Sequence, residues 1–394
     1  MTASAVTGHR ILYLQYGNPA AYPPLERSAA QFADAGWDVL FVGAHTAGVE
    51  FVQLATRPRT RAVLLAAAPR GWRLKRHYLW FCVWASWHAV RYRPRCIYAS
   101  DVLAAPVALF LKTVFGQRVV YHEHDAYDPA QATAFMRLCL AASRRLSRVS
   151  DLNVLPSDGR VEHFIAQNAV PRETCARVWN CPNLSEVQPP RTAIPRDGLT
   201  LLFQGSIVPA RLPLAVLHAM AALGNVVTLR VIGYETMDNR GYIDRLKAEA
   251  ARLHLSGRIE FLQATHHDDL LALSEPCDVG LALMPLETTD VNMRSMAGAS
   301  NKAFEYLACG LPLIVSDRPE WRAMFVDAGY ARSCDPENPD SIADALRWFL
   351  HDPDRARAIG EAGRQRILAD WNYERAFAPV FRSIAGAPGP SAGR

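Results

Sequence analysis

Short runs of β-branched and aliphatic residues alternate with longer stretches of helical periodicity from one end of the chain to the other. This alternation is typical of βαβ units, in which helices connect parallel strands. In the first half of the chain, the pattern predicts helices that begin near Tyr22, Trp72, Val102, Ala130 and Gly159. The strands predicted between them span residues 11–15, 39–42, 62–66, 96–99, 119–122 and 152–155.

The second half repeats this rhythm, with strands predicted at residues 200–204, 227–232, 259–262, 279–283 and 313–316. Residues 180–198 contain four prolines and no periodicity, which indicates a linker. The predicted fold class is therefore α/β, with two doubly wound Rossmann-like domains facing each other across a cleft. The predicted boundaries are 1–182 for the N-terminal domain, 183–198 for the linker, 199–370 for the C-terminal domain, 371–385 for a helix that packs back on the N-terminal domain and 386–394 for a disordered tail.

Composition supports two soluble domains. The chain has 394 residues, which exceeds the roughly 250–300 residues at which one hydrophobic core stops growing. Its longest apolar runs, 62–68 and 102–111, are shorter than the ~20 residues that a transmembrane helix needs. The eight cysteines show no C-x-x-C spacing, and residues 1–10 lack the pattern of a secretory signal. We therefore expect a cytoplasmic protein with reduced cysteines and no zinc site.

Basic residues are concentrated in the first half of the chain, where residues 1–180 hold 21 Lys and Arg against 12 Asp and Glu. Between Glu50 and Asp101 there is no acidic residue, whereas four tryptophans and ten basic residues occur there: Arg57, Arg59, Arg61, Arg70, Arg73, Lys75, Arg76, Arg91, Arg93 and Arg95. One interpretation is contact with an anionic membrane surface through residues 57–95. The other is a helix packed in the fold with solvated arginines, and a nucleic-acid partner is not expected.

Ligands of open parallel sheets bind beyond the carboxyl ends of the strands, so the residues just after each strand are candidates for function. Gly205 follows the predicted strand, and Ser206 and Arg211 come next, before an apolar helix predicted at 212–223. A glycine lets a ligand approach the backbone, a helix N-terminus offers free N–H groups, and an arginine can donate two parallel hydrogen bonds to a phosphate. The turn therefore indicates a phosphate site, although such turns also occur without a ligand.

A second candidate segment, residues 300–312, reads SNKAFEYLACGLP. It predicts a helix that is capped by Ser300 or Asn301 and ended by Gly310, with Lys302 in the first turn and Glu305 one turn later. A lysine at a helix N-terminus opposes the helix dipole unless an anion lies beside it. A bound phosphate resolves this conflict and puts Glu305 within reach of the vicinal hydroxyls of an attached sugar. An ordinary surface pair of lysine and glutamate is the alternative.

The segments 205–211 and 301–312, with the closing Trp371-Asn372-Tyr373, resemble the C-terminal half of GT-B glycosyltransferases, specifically the retaining enzymes of glycosyltransferase family 4 (glycosyl transferases group 1). The resemblance implies that the C-terminal domain binds a nucleotide diphosphate sugar. It further implies that Arg211 and Lys302 hold the diphosphate and that Glu305 binds the nucleotide ribose. The full set of expected donor-binding residues is Gly205, Ser206, Arg211, Asn301, Lys302, Glu305 and, from the segment 262–266 where the base is expected, Gln263.

The sequence departs from the family at one position. Many members carry two glutamates in an E-x7-E arrangement, but the residue eight positions before Glu305 is Ala297. We therefore expect the loop 292–300 to contact the transferred sugar through small residues and backbone N–H groups.

A third candidate is the sequence His122-Glu123-His124-Asp125, at the end of a predicted strand. Alternation puts the two histidines on one face and the two acids on the other. A metal site would need a third convergent ligand, and a structural role for the histidines is an alternative. The resemblance implies that His124 contacts the donor sugar, and it places Gly17, Asn18 and Asp125 on the acceptor side.

The expected function is retaining transfer of a sugar from a nucleotide diphosphate sugar to a glycan or lipid-linked acceptor, at the cytoplasmic face of the membrane. Arg211, Lys302 and His124 are the expected catalytic residues, and neither a metal nor another cofactor is expected. The D-x-D sequence at Asp352 is predicted to be a helix cap followed by proline rather than a metal site. The alternatives are a sugar-nucleotide epimerase and a two-domain solute-binding protein.

Overall fold

The computed structural model describes residues 9–46, 53–69, 71–191, 198–263 and 267–386. It divides the chain into two compact units, one formed by Met1–Asn180 with Tyr373–Arg394 and the other by Cys181–Asn372. We call them the N-terminal unit and the C-terminal unit. Each contains one parallel sheet flanked by helices, so the predicted α/β class is confirmed.

Seven parallel strands form the sheet of the N-terminal unit, in the order β3-β2-β1-β4-β5-β6-β7. The strands are β1 (Arg10–Leu14), β2 (Asp38–Ala44), β3 (Thr60–Leu65), β4 (Cys96–Ser100), β5 (Val119–His122), β6 (Leu152–Leu155) and β7 (Cys175–Arg177). The helices between them are α1 (Pro23–Asp34), α2 (Trp72–Tyr92), α3 (Ala105–Phe115), α4 (Ala134–Val149) and α5 (Asp158–Asn168). Strand β7 was not predicted, because three residues at a sheet edge are too short to show a period.

Each face of this sheet has its own hydrophobic core, because successive residues of a strand point to opposite sides. Leu12 and Leu14 pack on the side that carries α2, α3, α4 and α5. Ile11 and Tyr13 pack on the other side, against α1. The functional consequence is that the strand ends are held in register, with Leu14, Ala99 and Val42 at the same level of three adjacent strands.

Six parallel strands form the sheet of the C-terminal unit, in the order β10-β9-β8-β11-β12-β13. The strands are β8 (Leu199–Ile207), β9 (Val227–Glu235), β10 (Ile259–Gln263), β11 (Val279–Ala282), β12 (Leu313–Ser316) and β13 (Ala331–Cys334). The helices are α6 (Ala215–Ala222), α7 (Tyr242–Arg252), α8 (His267–Ser274), α9 (Val291–Arg294), α10 (Asn301–Ala308), α11 (Pro319–Trp321, continued by a π-helical turn, Arg322–Val326), α12 (Pro339–His351) and α13 (Pro353–Ala369).

Among the predicted boundaries that differ in this unit, two bear on the donor-site candidates. Strand β8 does not end at Gln204 but runs on through Gly205 and Ser206, because the ladder with β9 continues at this point. Helix α6 begins at Ala215 rather than Leu212, because Pro213 lacks an N–H and disfavours helical geometry at the residue before it. Arg211 therefore lies in the connection before the helix and not at its start.

The last helix, α14 (Tyr373–Ala385), belongs to the N-terminal unit. Its Phe381 ring stacks on Phe32 of α1, with 4.7 Å between ring centroids. Its Tyr373 hydroxyl donates a hydrogen bond to the carbonyl of Pro24. The chain thus returns to the first unit after completing the second. Most of the predicted tail, 387–394, and part of the predicted linker, 192–197, lie outside the described residues.

None of the helices within the described residues is both long enough and apolar enough to cross a membrane.

Candidate active site

The donor-site candidates lie around the carboxyl ends of β8 and β11, next to the start of α10. The two strands are neighbours, whereas the chain leaves β8 towards β9 on its other side. The strand order therefore reverses between β8 and β11, and ligands of doubly wound sheets bind at such a reversal. The donor-site candidates predicted from the sequence therefore lie at the reversal between β8 and β11, where a ligand is expected.

Two facing glycines open the backbone at this edge of the sheet. Gly205 and Gly233 are direct partners in adjacent strands. A Cβ on Gly233 would lie 1.9 Å from the Gly205 carbonyl oxygen, and a Cβ on Gly205 would lie 3.0 Å from Lys302 Cε. Gly205 also has φ +99°, a conformation that side chains disfavour. The site therefore needs glycine at both positions, for the close contact of two strands and for space beside Lys302.

Lys302 is the buried cation of the site. It is 8% exposed, and its Nζ has no hydrogen-bond acceptor within the described part of the chain. The ammonium lies over the ring of Phe203, 4.2 Å from the centroid. Burial, and next the charge of Arg211, hold the pKa of Lys302 well below its ordinary value, while Glu305 acts weakly in the opposite direction. A buried ammonium without an acceptor is compensated when an anion enters.

Arg211 adds a second cationic group beside Lys302. Its Nη1 donates a hydrogen bond of 2.9 Å to the Ser206 hydroxyl, which orients the guanidinium. The charge of Arg211 lowers the pKa of Lys302, so the two groups repel each other. Two cations held together by the fold, rather than separated by repulsion, are typical of a site for a multiply charged anion.

Glu305 lies one turn after Lys302 on α10 and is 8% exposed. Gln204 donates a hydrogen bond from Nε2 to its carboxylate, and the Gln204 backbone N–H donates to the Tyr306 hydroxyl, at 2.9 Å. Tyr306 in turn packs so closely on Gly280 that a Cβ there would lie 2.3 Å from its ring. Gln204 thus holds the carboxylate, while the contacts of Tyr306 fix α10 against β8 and β11. Sequence reasoning missed Gln204, although its position in a strand directly before Gly205 is a usable signal.

The remaining donor-site candidates have fewer side-chain contacts with the rest of the unit. Asn301 is the first residue of α10, and its Oδ1 is buried without a hydrogen-bond donor among the described residues. Ser300 is the N-cap, but its side chain makes no capping hydrogen bond. Gln263 is exposed at the end of β10, at the same level of the sheet as Gly233 and Gly205. The rest of the expected base segment, 264–266, lies outside the described residues.

The loop between β11 and α10 is tied to β12. The Ser316 hydroxyl accepts from the Met284 backbone N–H and donates to the Met284 carbonyl. Arg318 donates to the carbonyls of Pro285 and Arg294, both at 2.8 Å, and binds Glu320. These bonds fix both ends of the loop segment that precedes Ala297, and sequence reasoning did not single out Arg318.

The prediction that backbone N–H groups of residues 292–300 face the sugar is partly wrong. The N–H of Ser295 donates to Val291, and those of Ala299 and Ser300 donate to Met296. These three groups therefore stabilise the loop itself.

The histidine candidates lie at the carboxyl end of β5 in the N-terminal unit, beside β4. The rings of His122 and His124 are 3.8 Å apart, on one side of the chain, as alternation predicts. His122 is fully buried beside the Tyr98 hydroxyl, at 2.9 Å, whereas His124 is half-buried with its Nε2 3.1 Å from Ser100 Oγ. Burial lowers the pKa of His124 to about 3, so its ring is neutral at physiological pH.

The carboxylates around these histidines have separate roles. Glu123 is buried and forms an ion pair with Arg160 at 2.9 Å, and Arg160 also donates to the His124 carbonyl. Asp101, directly after β4, accepts from the His124 backbone N–H and has φ +64°. Burial raises the pKa of Asp101 to about 8, with Asp125 and Glu123 adding to the effect. Asp101 was missed by sequence reasoning, although it follows a strand end like the other candidates. Asp125 itself is exposed.

The acceptor-side candidates near β1 have structural contacts. The Asn18 side chain accepts from the Ala20 N–H and caps a short 3-10 helix (Pro19–Ala21), and it is buried. The Gly17 carbonyl accepts from the N–H of Ala44 in β2. These contacts shape the turn after β1.

The sequence offered two possible metal-binding patterns, at residues 122–125 and at Asp352. Asp352 accepts from the Arg355 N–H as the N-cap of α13, with Pro353 as first helical residue, so the predicted cap is confirmed. Within the described ranges, no three His, Cys, Asp or Glu side chains come together as a metal site.

Residues 185–366 match the family described as "Glycosyl transferases group 1". The match covers nearly all of the C-terminal unit, including every donor-site residue discussed above. The two units have the fold of GT-B glycosyltransferases. The C-terminal unit therefore matches the group 1 glycosyltransferases, and the resemblance inferred from the sequence is confirmed at this level.

Two relatives come from mycobacteria. One is a GDP-mannose-dependent alpha-(1-6)-phosphatidylinositol monomannoside mannosyltransferase from Mycolicibacterium smegmatis. It is 26% identical over 145 residues, and this alignment covers 37% of this chain and 37% of the relative. The chain is 25% identical over 301 residues to a glycogen synthase of Mycobacterium tuberculosis, which covers 72% of this chain and 66% of the relative. The aligned segments thus span about a third of the mannosyltransferase and just under two thirds of the glycogen synthase.

Solved structures match nearly the whole chain. Sucrose-phosphate synthase from Thermosynechococcus elongatus aligns with a TM-score of 0.75 and 17% identity, over 96% of this chain and 99% of that one. The Anabaena protein Alr3699/HepE, in complex with UDP and glucose, aligns with a TM-score of 0.70 and 17% identity over the same shares. At this identity the likeness establishes the fold.

Proposed function

We propose that this protein is a retaining glycosyltransferase of family 4, which moves a sugar from a nucleotide diphosphate sugar to an acceptor hydroxyl. The observation that carries the proposal is the buried Lys302 ammonium, which has no acceptor among the described residues and lies beside Arg211. Two cations at the reversal point of a doubly wound sheet form a site for a diphosphate. The match of residues 185–366 to group 1 glycosyltransferases supports the same assignment.

The diphosphate is the leaving group of this reaction. Negative charge grows on it as the bond to the anomeric carbon breaks, while the sugar takes on oxocarbenium character. Lys302 and Arg211 are already in place before this charge develops, so they stabilise the transition state more than the ground state. The acceptor oxygen then bonds to the anomeric carbon on the face that the diphosphate leaves, its proton passes to the departing diphosphate, and the sugar retains its configuration.

Glu305 is the proposed ligand of the nucleotide ribose. A carboxylate can accept hydrogen bonds from two vicinal hydroxyls, and the Gln204 amide holds the carboxylate in one orientation. Gly205 and Ser206 border the diphosphate, and Asn301 and Gln263 are the proposed neighbours of the sugar and the base.

His124 is the proposed contact to the transferred sugar from the N-terminal unit. Because its pKa is lowered to about 3, the imidazole is neutral and acts as a hydrogen-bonding group rather than as an acid. The contacts of Gly17 and Asn18 support a shape-determining role on the acceptor side, and Asp125 is exposed for contact with an acceptor.

The proposed acceptor is a glycan or a lipid-linked glycan of a surface polysaccharide or glycolipid, with the enzyme peripheral on the cytoplasmic face of the membrane. The mycobacterial relative is named for a phosphatidylinositol monomannoside acceptor, which supports a lipid-linked substrate. GDP-mannose and UDP-glucose are the first donors to test, because GDP-mannose is named for that relative and UDP with glucose for the Anabaena protein.

The test is a titration of the protein with UDP and GDP, followed by NMR analysis of slow hydrolysis of their sugars. We expect one nucleoside diphosphate to bind and the first-formed sugar to have the anomeric configuration of the donor. A first-formed sugar of opposite configuration would overturn the retaining assignment. Failure of both UDP and GDP to bind would overturn the diphosphate site itself, and isomerised nucleotide sugar without transfer would indicate the epimerase alternative.

A further inference from the structure

Helix α2 has two opposite apolar faces, only one of which is covered by the rest of the protein. Tyr78, Phe81, Ala85, Ala89 and Tyr92 are buried against the sheet. At 3.6 residues per turn, a second stripe lies on the opposite side of the helix. That stripe is exposed and consists of Trp72, Leu79, Trp80, Val83, Trp87 and Val90, with exposed fractions of 46–64%.

Helices α3 and α4 lie on the same side of the sheet as α2 and also expose apolar residues. Helix α3 exposes Phe110, Val114 and Phe115, and α4 exposes Leu138, at 72%. Scattered exposed apolar residues are normal, but a set of this size on neighbouring helices indicates an interaction surface. We call the exposed side of α2, α3 and α4 the three-helix face.

The charge of the three-helix face has one sign. The helices α2, α3 and α4 contain no Asp or Glu. Lys112 is neutralised by Asp151, but eight basic residues have no carboxylate partner within the described part of the chain: Arg73, Lys75, Arg76, Arg91, Arg137, Arg144, Arg145 and Arg148. Arg73 and Arg76 lie beside the Trp72 ring, within 5.8 Å of its centroid.

This surface differs from the basic segment 57–95 that the sequence indicates. Arg57 and Arg59 pair with Asp34 and Asp38, and Arg95 lies over the Trp37 ring. The charges of these three arginines are therefore engaged in contacts within the N-terminal unit. The structure instead adds α4, which is distant in sequence and contributes four of the eight basic residues.

We infer that the three-helix face docks on an anionic phospholipid bilayer. Tryptophans, valines and phenylalanines enter the boundary between headgroups and acyl chains, while the arginines and lysines around them contact lipid phosphates. A second copy of the chain is a poor partner, because two such faces would bring sixteen unneutralised cations together. A nucleic acid would attract the cations but would leave the aliphatic side chains in water.

This inference concerns a partner surface in the N-terminal unit and does not depend on the proposed donor site. It would place the protein beside lipid-linked acceptors, which agrees with the proposed function.

The experiment is co-sedimentation of the full chain with vesicles of phosphatidylcholine, with and without one quarter phosphatidylglycerol. The α4 variant, Arg144→Glu with Arg145→Glu, tests the basic residues that lie outside the segment 57–95 indicated by the sequence. Its matched control is Arg245→Glu with Lys247→Glu on α7, which makes the same change in net charge on exposed residues of the other unit. Trp80→Ser with Trp87→Ser tests the apolar contribution.

We expect the parent chain to bind the anionic vesicles, and binding to fall steeply between low and physiological salt. The α4 variant and the tryptophan variant should each weaken the partition coefficient at least about tenfold, whereas the control should bind like the parent. UDP and GDP affinities should be unchanged in all three variants, which separates this test from that of the donor site.

Three outcomes would overturn the inference. The first is a parent chain that does not bind anionic vesicles at low salt, and the second is an α4 variant that binds as the parent does. The third is a different occupant, shown by a dimer that the tryptophan variant abolishes or by an oligonucleotide that binds more tightly than the vesicles and competes with them.

Discussion

The Lys302 amino group is held buried in the fold before any ligand is present. Its ammonium is buried, lies on an aromatic ring and is repelled by Arg211. The local geometry of α10 does not require a lysine, since the second position of a helix favours anions rather than cations. The proposed diphosphate would give this buried amino group the acceptor that it lacks within the described residues.

We predict that Lys302→Ala and Arg211→Ala each lower turnover about 100-fold or more, the effect of removing one preorganised charge-stabilising group. The fold should be retained, because removing the buried amino group of Lys302 offsets the lost contact with Phe203, and Arg211 is only partly buried. Steady-state rates at saturating donor measure this effect. Lys247→Ala on α7 is the control and should keep the parental rate. A Lys302→Ala enzyme with a near-parental rate would refute the role of Lys302 at the phosphates.

A second prediction concerns protons. Burial and Arg211 lower the pKa of Lys302 in the free protein, whereas a bound diphosphate raises it again by compensating the charge. Between these two pKa values, the free protein holds fewer protons on Lys302 than the complex does. Binding of a nucleoside diphosphate therefore takes up protons in this window, and affinity falls as pH rises through it.

Titration calorimetry in buffers of different ionisation enthalpy measures this uptake directly. The experiment belongs above pH ~8, where the phosphate, with a second pKa of about 6, is already ionised. Lys302→Met should abolish the uptake while the chain remains folded. Proton uptake that is equal in the parent and in Lys302→Met would assign the proton to another group.

At the scale of the elements, the contact of β8 with β9 sets the shape of the donor site. Gly205 and Gly233 face each other, and a Cβ on Gly233 would overlap the Gly205 carbonyl, 1.9 Å away. Because the obstructing atom belongs to the backbone of a central strand, it cannot move without breaking the ladder. The glycine pair therefore stabilises the sheet and also keeps the entrance beside Lys302 open.

We predict that Gly233→Ala lowers the free energy of unfolding by at least about 2 kcal/mol and weakens binding of the nucleoside diphosphate. Equilibrium unfolding in urea provides the measurement. Gly257→Ala is the matched control, since a Cβ there has no neighbour within 4 Å, and its stability should stay close to that of the parent. A Gly233→Ala protein as stable as the control would contradict the close approach of the two strands.

At the scale of the whole molecule, the proposed diphosphate site in the C-terminal unit has two basic side chains, Lys302 and Arg211. We predict that activity survives excess EDTA, because Lys302 and Arg211 compensate the diphosphate charge. The measurement compares initial rates before and after chelation, with Mg²⁺ and Mn²⁺ added back. Loss of activity that either ion restores would refute the prediction.

Local sequence patterns were enough to predict the two doubly wound sheets and to place Lys302 and Glu305 one turn apart on α10. Strand and helix periods are properties of neighbouring residues, and the carboxyl ends of parallel strands converge whatever the details of packing. The same reasoning failed where a boundary depends on a partner, as at β8, whose extension requires Gly233 in another strand.

Only the tertiary structure decided which side chains meet and which faces stay uncovered. Gln204 reaches Glu305 across 101 positions of sequence, and Asp101 binds the backbone of His124 from a different strand. Helix α2 is apolar nearly all round in the sequence, so its pattern did not show which stripe packs on the sheet and which joins α3 and α4. Exposure depends on what other elements cover, and that information lies in contacts between distant residues rather than in any local period.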